Sequence, residues 1–450
     1  MVYHLTKSII HLALRGFFRK IHVVGFDNIP PNSPAIFISN HPSALIDPLV
    51  VSVIFRKRIH FIAGAEFFGK GFKNWLLKHE FNMIPVYRPK EDKKVDNTEM
   101  FSECYKTLEK NGSILIFPEG SSVTEHRLRS FKTGTIRILT GFHKINPEKH
   151  VHVIPIGLNY EDAHRFRSDI TVKIGPPLDP EKLPFENKSQ EAIKEMSEVL
   201  EEGLRNEIFH IDNYELNPLI SNISEVFSHN LRLNARDPER DFSVKKKMID
   251  AVMHFQETAP KEVKQVKEKI DTYFEKIKEL KINHHLLDSK KRRLNPLKVI
   301  ELLLFLPVFL IGLCGNLLPF LLTRTLYRIK YHPRLIKNSE HAKPINPAFS
   351  ATVSFAIGTL IFLFWFLGIS ITLGVIYQWW VGMIAFVSLY LLGQFSTWYR
   401  RLGDHLFARW RINLTFRRRK PEVQKLIELR KEIIADLEKH QKIYESQEAN

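Results

Sequence analysis

Between Pro344 and Tyr399 the chain carries no charged residue. A membrane-crossing helix needs about 20 apolar residues in a row, and a soluble core helix rarely goes so long without a charge. The run is long enough for two spans. Gly374 and the aromatic group Tyr377, Trp379 and Trp380 sit near its middle, and Tyr and Trp favour the membrane–water interface. This pattern predicts a membrane hairpin with legs at 348–375 and 380–398. A second charge-free run, Leu302 to Thr323, is also of spanning length. Pro307, Gly312, Gly315, Asn316 and Pro319 interrupt it. It reads either as a plain span or as a broken, re-entrant or in-plane segment, whose freed backbone groups would need partners inside a bilayer.

Basic residues flank these runs: Lys290, Lys291, Arg292 and Arg293 before the first, Arg324, Arg328, Lys330 and Arg334 after it, and Arg400, Arg401, Arg409 and Arg411 after the hairpin. The positive-inside rule places all three groups on the cytoplasmic face, which implies an integral membrane protein with its N-terminal domain on that face. A single plain span at 302–323 would separate its two basic flanks, whereas a re-entrant segment keeps them together.

Lys and Arg total 66 against 49 Asp and Glu, a formal net charge of +17. Such an excess points to an anionic partner. Because the basic clusters border apolar runs and no nucleic-acid module accompanies them, membrane lipids and a phosphorylated substrate are expected, and no nucleic acid. The two cysteines, Cys104 and Cys314, form no CxxC pair, so neither a disulfide framework nor a zinc site is supported. His284-His285 has no further ligand at metal spacing and reads as a surface feature; no metal and no cofactor are expected.

Residues 1–20 read as an amphipathic helix. Ile9, Ile10, Leu12, Leu14, Phe17 and Phe18 are interrupted by His11, Arg15 and Arg19, with no small-residue cleavage site behind them. That argues against a signal peptide and fits a helix lying on a membrane surface or packed on the domain. Short apolar runs of strand length then recur at 22–24, 35–39, 59–63, 83–87, 113–117, 151–158 and 170–174, with helical patterns near 72–78, 97–110 and 133–142 between them. The alternation predicts an α/β domain over 21–180, a mixed sheet with flanking helices. Residues 181–298 are rich in Glu and Lys with spaced apolar positions and read as a helical linker with helices near 192–208 and 260–282; 401–450 reads as a charged, solvated tail.

The chemistry concentrates in two turns. Asn40-His41-Pro42-Ser43-Ala44-Leu45-Ile46-Asp47 follows an apolar strand. A neutral imidazole is suited to taking a proton from an alcohol near neutral pH. Asp47 would accept a hydrogen bond from the other ring nitrogen and fix the tautomer, the logic of a serine hydrolase triad with the substrate hydroxyl as nucleophile. On this pattern alone, a structural role for the pair is the commoner reading. The second turn, Phe117-Pro118-Glu119-Gly120-Ser121-Ser122, also ends an apolar strand. Glu119 offers a carboxylate to acceptor hydroxyls, and the backbone N–H groups around Gly120 and Ser121 offer donors to a phosphate. Arg127, Arg129 and Lys132 follow, and Arg88 closes the strand ending at Tyr87; Arg suits bidentate phosphate binding. Gly64-Ala65-Glu66-Phe67-Phe68-Gly69-Lys70-Gly71 nearly matches a P-loop, but Gly71 replaces the Ser or Thr that would hold magnesium. No Gly-x-Ser-x-Gly elbow is present, so an acyl-serine route lacks support.

These blocks, in this order from Gly25 to Pro177, resemble the glycerolipid acyltransferases, which include glycerol-3-phosphate and 1-acylglycerol-3-phosphate acyltransferases. The likeness rests on Gly25-Phe26-Asp27-Asn28-Ile29-Pro30, Asn40-His41 through Asp47, Ile84-Pro85-Val86-Tyr87-Arg88, Phe117-Pro118-Glu119-Gly120, Phe131-Lys132-Thr133-Gly134 and Val153-Ile154-Pro155-Ile156. The resemblance implies a catalytic pair at His41 and Asp47, acceptor-phosphate binding by Arg88 and the Glu119-Gly120 turn, and an acyl thioester donor, acyl-CoA or acyl-carrier protein. The implied activity is glycerol-3-phosphate O-acylation in phosphatidic acid synthesis, with 1-acylglycerol 3-phosphate as the alternative acceptor and a non-catalytic lipid-binding protein of the same fold as the remaining one. Two features depart from the family pattern. Five residues separate His41 from Asp47 where four are usual, which resembles the branch of fungal glycerol-3-phosphate/dihydroxyacetone-phosphate acyltransferases and bacterial relatives. One extra residue rotates a helical position by about 100°, so the turn at Pro42-Ser43 must absorb it. Asn82 also stands where a glycine usually precedes the arginine block, which bears on the acceptor.

Overall fold

In the computed structural model, residues 2–87, 96–163, 166–178, 189–227, 237–287, 293–331 and 348–448 are described. The chain divides into two compact units. The first comprises Met1–Tyr214, Asn234–Ser243 and Lys343–Phe355; the second comprises Glu215–Leu233, Val244–Ala342 and Ala356–Asn450.

The first unit is built from α1 (Val2–Phe17), β1 (Lys20–Val24), β2 (Ala35–Ser39), α2 (Ile46–Ile54), β3 (Ile59–Gly64), α3 (Phe72–Trp75), β4 (Met83–Val86), α4 (Thr98–Glu109), β5 (Ser113–Ile116), α5 (Gly134–Ile145), β6 (His152–Tyr160), β7 (Asp169–Ile174) and α6 (Gln190–Arg205). The seven strands lie in the order β1-β7-β6-β2-β5-β3-β4. All neighbours pair in parallel except β6 and β7, which are antiparallel. This is the mixed α/β sheet with flanking helices that the apolar runs predict.

β2 explains why the sheet needs helices on both faces. All five of its residues are buried. Ala35 and Phe37 pack with Leu14 and Phe17 of α1 and Ile46 and Val50 of α2; Ile36 and Ile38 pack on the other face with Cys104, Leu108, Ile136 and Met196. Each such large apolar side chain contributes roughly 1.5–3 kcal/mol by leaving water. A strand buried on both sides reads as a continuous apolar run, as 35–39 does.

Two boundaries differ from the sequence reading in ways that matter. β5 stops at Ile116, so Phe117 opens a loop, and β6 runs on to Tyr160. The domain also does not end at 180. The stripe Ala192, Met196, Leu200 and Leu204 of α6 repeats every four residues and is buried, and the last three of these join the core beneath the sheet. Lys173 pairs with Glu239 at 3.0 Å, and Phe209 stacks on Phe242 at 4.9 Å, which holds residues 237–243 in the same unit. Helix α1 buries Leu14 and Phe17 in the core while exposing Leu5 and Leu12.

The second unit is helical. Among the described residues, three helices are long and apolar enough to cross a membrane: Leu306–Ile329, Ala351–Ile376 and Trp379–Arg418. The helix Leu306–Tyr331 runs unbroken past Gly312, Gly315 and Pro319. The interruption lies ahead of it, between Leu304 and Leu306, so Pro307 falls in a first turn where its missing N–H is no loss. Pro319 cannot bond the carbonyl of Gly315 four residues back; the indole N–H of Trp365 donates to that carbonyl instead, at 2.8 Å. Asn316 donates to the Leu389 carbonyl at 3.3 Å. The C-terminal helix Lys420–Glu448 is not the solvated tail expected. Val423, Leu426 and Ile433 are buried, and it pairs with the helix Pro260–Leu280 through Lys269–Asp436 at 2.6 Å and His440–Glu262 at 2.7 Å.

Candidate active site

The parallel register of β2 and β5, Ile38 beside Ile116, brings the loops after their carboxyl ends together. Open α/β sheets bind ligands at such strand ends. β6 lies on the other side of β2, with Ile156 level with Ser39, and continues to Tyr160.

Asn40 is the first anchor. Its side chain donates to the Leu158 carbonyl at 3.1 Å and accepts from the Leu158 N–H at 2.8 Å. It therefore extends the β2–β6 ladder by one rung after β2 has ended. His41 comes next, at the edge of the sheet. Its ring stacks on Phe117, with centroids 4.0 Å apart and planes 14° from parallel. Its Nδ1 lies 2.8 Å from Asp47 Oδ2. The side chain keeps 18% of its surface exposed while Asp47 is fully buried.

The five residues between His41 and Asp47 form a tight turn. Ala44 adopts φ +45°, and Ile46 and Asp47 donate back to the Ser43 and Ala44 carbonyls at 3.0 and 3.3 Å. α2 then starts with Asp47 in its first turn, where a carboxylate suits the helix dipole. Asp47 accepts three hydrogen bonds: from His41 Nδ1–H, from the Ser43 N–H at 2.8 Å, and from the Tyr160 hydroxyl at 2.6 Å. Burial and the neighbouring Asp47 charge push the Tyr160 hydroxyl well above its ordinary range, so it remains a donor. With Nδ1–H committed to Asp47, the ring's Nε2 is the atom able to take a proton.

The second loop is fastened to the first. Glu119 accepts from the His41 N–H at 3.0 Å through one oxygen, and from the Arg129 N–H and Nε–H at 3.3 and 3.1 Å through the other. Burial pushes its carboxyl above the usual range, against the pull of Arg129. Ser122 accepts from the Ala44 N–H at 2.8 Å, Val123 donates to the His41 carbonyl at 3.1 Å, and the Thr124 hydroxyl donates to the Pro42 carbonyl at 3.0 Å. Arg129 is committed to this brace, donating also to the Ser121 hydroxyl at 2.9 Å and to the Ser121 carbonyl. Gly120 sits at φ +74°, and a Cβ there would come within 3.2 Å of Lys132 Cγ. Only glycine takes this turn without strain. Lys132 donates its N–H to the Pro118 carbonyl at 2.8 Å, so its exposed side chain lies over the Gly120 turn.

Of the residues singled out from sequence, His41, Asp47, Glu119, Gly120, Ser121 and Lys132 thus share one edge of the sheet. Arg88 lies outside the described residues. Asn40, Phe117 and Ser122, which lay in the two turns without a role of their own, and Tyr160, which lay outside them, complete the site. A polar residue closing an apolar strand was the one local signal for Asn40; Tyr160 ends a strand in an apolar run and had none. The near P-loop is a turn after β3 in which the Glu66 carboxylate lies within 2.4 Å of where a Gly64 Cβ would stand, an anion where a phosphate cradle would need donors. Cys104 is buried, and burial pushes its thiol up to about 12, so it is no nucleophile at neutral pH. His284 is buried rather than a surface group, with Nε2 at 2.9 Å from Glu225 Oε1. With His285 these residues bring ligand atoms within 4.8 Å of one another; the cluster belongs to the second unit and shares no residue with the site above.

Residues 20–159 match the family model described as Acyltransferase. Glycerol-3-phosphate O-acyltransferase 1 of Saccharomyces cerevisiae is 29% identical over 139 residues, 30% of this chain and 18% of that protein. A chloroplastic 1-acyl-sn-glycerol-3-phosphate acyltransferase of Arabidopsis thaliana is 31% identical over 144 residues, 31% of this chain and 36% of its own length. The crystal structure of a 1-acyl-sn-glycerophosphate acyltransferase from Thermotoga maritima is 24% identical, with 44% of this chain and 78% of that one covered and a TM-score of 0.32. The chain thus spans about a third or less of the length of these two curated relatives. The matched stretch runs from β1 to the end of β6, and the family is the one the motif blocks resemble.

Proposed function

We propose that this chain is a membrane-bound glycerol-3-phosphate O-acyltransferase, built on the acyltransferase-family domain of residues 20–159. The observation that carries the reading is the 2.8 Å contact between His41 Nδ1 and Asp47 Oδ2 at the sheet's carboxyl edge. The acceptor hydroxyl adds to the carbonyl of an acyl thioester, acyl-CoA or acyl-carrier protein, as His41 Nε2 takes its proton. Asp47 holds the imidazolium that forms. The tetrahedral oxyanion collapses, the C–S bond breaks, and the departing thiolate takes the proton back from His41. Lys132 lies over the Gly120 turn and, with the Ser121 hydroxyl and Arg88, is assigned the acceptor phosphate. Glu119 is assigned to the same pocket, both as the brace between the loops and through its remaining acceptor capacity toward an acceptor hydroxyl.

The second reading, 1-acylglycerol 3-phosphate as acceptor, is supported by the Arabidopsis relative. Purified full-length chain, given labelled acyl-CoA or acyl-carrier protein, separates the two when offered glycerol 3-phosphate, 1-acylglycerol 3-phosphate and glycerol side by side. Glycerol 3-phosphate is expected to be preferred by at least about tenfold over its acylated form, with glycerol far poorer because it leaves the phosphate site unpaired. A preference for the acylated acceptor moves the assignment to the second acylation, and no transfer to any acceptor removes it.

The membrane arrangement follows from parity. The helix Pro260–Leu280 is joined to the sheet by chain holding no candidate span among the described residues, and the C-terminal helix Lys420–Glu448 is paired with it. Ala351 and Phe355 pack in the core of the first unit. We therefore assign the hairpin, Ala351–Ile376 and Trp379–Arg418, two crossings, and Leu306–Ile329 none: that unbroken helix lies in the plane of the membrane with both ends on one face. The basic flanks make that face cytoplasmic. In sealed vesicles, cysteines placed at Ser339 and Ser446 in a Cys314→Ser background are expected to react with an impermeant maleimide from the same side. Labelling from opposite sides would make Leu306–Ile329 a full span.

A further inference from the structure

We propose that Thr352 is a positioning residue for the catalytic turn, tying the entry of the membrane hairpin to the His41–Asp47 pair; the proposal rests on the acyl-transfer reading above. The Thr352 hydroxyl donates to the Ser43 carbonyl at 3.2 Å, across 309 residues of sequence. Helical threonines ordinarily turn their hydroxyl back to the carbonyl four residues earlier. Thr107, Thr140, Thr323, Thr372 and Thr415 of this chain all do so. Thr352 departs from that habit and serves a distant loop.

Its target is the residue that turns the chain between the two members of the pair. The Ser43 N–H donates to Asp47 Oδ2 at 2.8 Å, the same oxygen that faces His41 Nδ1. The Ser43 carbonyl accepts from the Ile46 N–H, which starts α2, and from Thr352. One peptide segment therefore links Thr352 to the carboxylate that orients the base. The contact is dry: Ser43 is fully buried and Thr352 is 5% exposed. The turn also contains Ala44 at a left-handed φ of 45°, a conformation that costs energy for a residue with a Cβ and needs surrounding contacts to persist.

Packing reinforces the hydrogen bond. Ala351 and Phe355, one residue before Thr352 and three after it, are buried in the same core cluster as Ile46 and Val50 of the Asp47 helix. The Phe355 ring meets Phe17 of α1 edge-on, with centroids 5.6 Å apart. The apolar stretch long enough to span a membrane begins at Ala351. The stretch Ala351–Phe355 is thus a wall of the catalytic unit, and the geometry of His41 depends on this stretch being in place.

The test uses the full-length chain in nanodiscs, as wild type, Thr352→Val and Thr352→Ser. Valine keeps the shape and removes the donor; serine keeps the donor. Two readouts are taken: deuterium uptake of peptides covering residues 41–47, which needs no activity, and steady-state kinetics with glycerol 3-phosphate. Valine is expected to speed uptake at 41–47 severalfold and to lower kcat about five- to tenfold, with acceptor KM within about twofold, as loss of one hydrogen bond in a positioning role implies. Serine is expected to restore both to near wild type. Equal behaviour of valine and wild type overturns the proposal. So does equal impairment by valine and serine, which would mean that the methyl packing acts rather than the hydroxyl. A general rise in uptake across the sheet peptides also overturns it, marking a merely structural loss. If no acceptor is acylated by wild type yet valine loosens 41–47 and serine restores it, the tie to the turn stands and the acyl-transfer reading falls.

Discussion

Substituting His41 by alanine is expected to lower kcat/KM for acyl transfer by about a thousandfold, within the range that loss of a positioned general base produces. The protein should still fold and insert, because the attachments of residue 41 are not made by its ring. Its N–H is held by Glu119 and its carbonyl by Val123, and both survive the change. What goes is the Nδ1–H donor to Asp47 and the ring stacked on Phe117. Asp47 keeps two donors, from Ser43 and Tyr160, so the stability loss should be about 1 kcal/mol. Thermal unfolding and membrane fractionation measure that side; labelled acyl transfer measures the other. Activity within tenfold of wild type, in folded and inserted protein, would rule out His41 as the base.

The sheet was legible because strands buried on both faces show as unbroken apolar runs. Ala35–Ser39 and Ser113–Ile116 stand within a residue of where the runs put them, while Asp169–Ile174, buried at every second residue, shows as an alternation instead. The two turns were legible because His41, Asp47, Glu119 and Gly120 follow such runs directly. What escaped is made of contacts whose partners lie far apart. Tyr160 reaches Asp47 across 113 residues and Thr352 reaches Ser43 across 309, and nothing in either neighbourhood marks a tyrosine or a threonine as special. Glu119 shows a second limit. Its residue type announced a carboxylate for substrate hydroxyls, whereas three of its acceptor positions face N–H groups of His41 and Arg129. Residue type conveys what a group can do; only the fold shows which of its partners are already present. The same holds for α6, recognisable as an amphipathic helix, whose buried stripe was visible but whose place beneath the sheet was not.

Asp47→Asn is expected to be nearly as damaging as loss of the base, lowering kcat by about a hundred- to ten-thousandfold, because it leaves every atom of the imidazole in place and changes the proton it carries. The native carboxylate only accepts, and it meets only donors: His41 Nδ1–H, the Ser43 N–H and the Tyr160 O–H. An asparagine offers one accepting oxygen and one donating nitrogen. If the oxygen takes the Oδ2 position, the amide N–H₂ confronts the tyrosine hydroxyl, which can reorient and accept, but the imidazolium formed in the reaction loses its counter-charge. If the amide is turned the other way, its N–H₂ faces both the Ser43 N–H and His41 Nδ1. The ring can then respond only by moving its proton to Nε2, where it can no longer take the acceptor's. Either orientation removes function, and the second also leaves a buried N–H without a partner, at a cost of about 1–3 kcal/mol. Tyr160→Phe is the internal comparison: it deletes a single donor and leaves the charge on Asp47, so its loss of kcat should be at least about tenfold smaller than that of Asp47→Asn. Imidazole ¹⁵N shifts tell the two amide orientations apart: Nδ1–H is expected in wild type and Tyr160→Phe, and in Asp47→Asn Nδ1–H marks the first orientation and Nε2–H the second. An Asp47→Asn protein with wild-type kcat, or with its ring still protonated at Nδ1 and inactive only through unfolding, would show that the carboxylate does not orient the base.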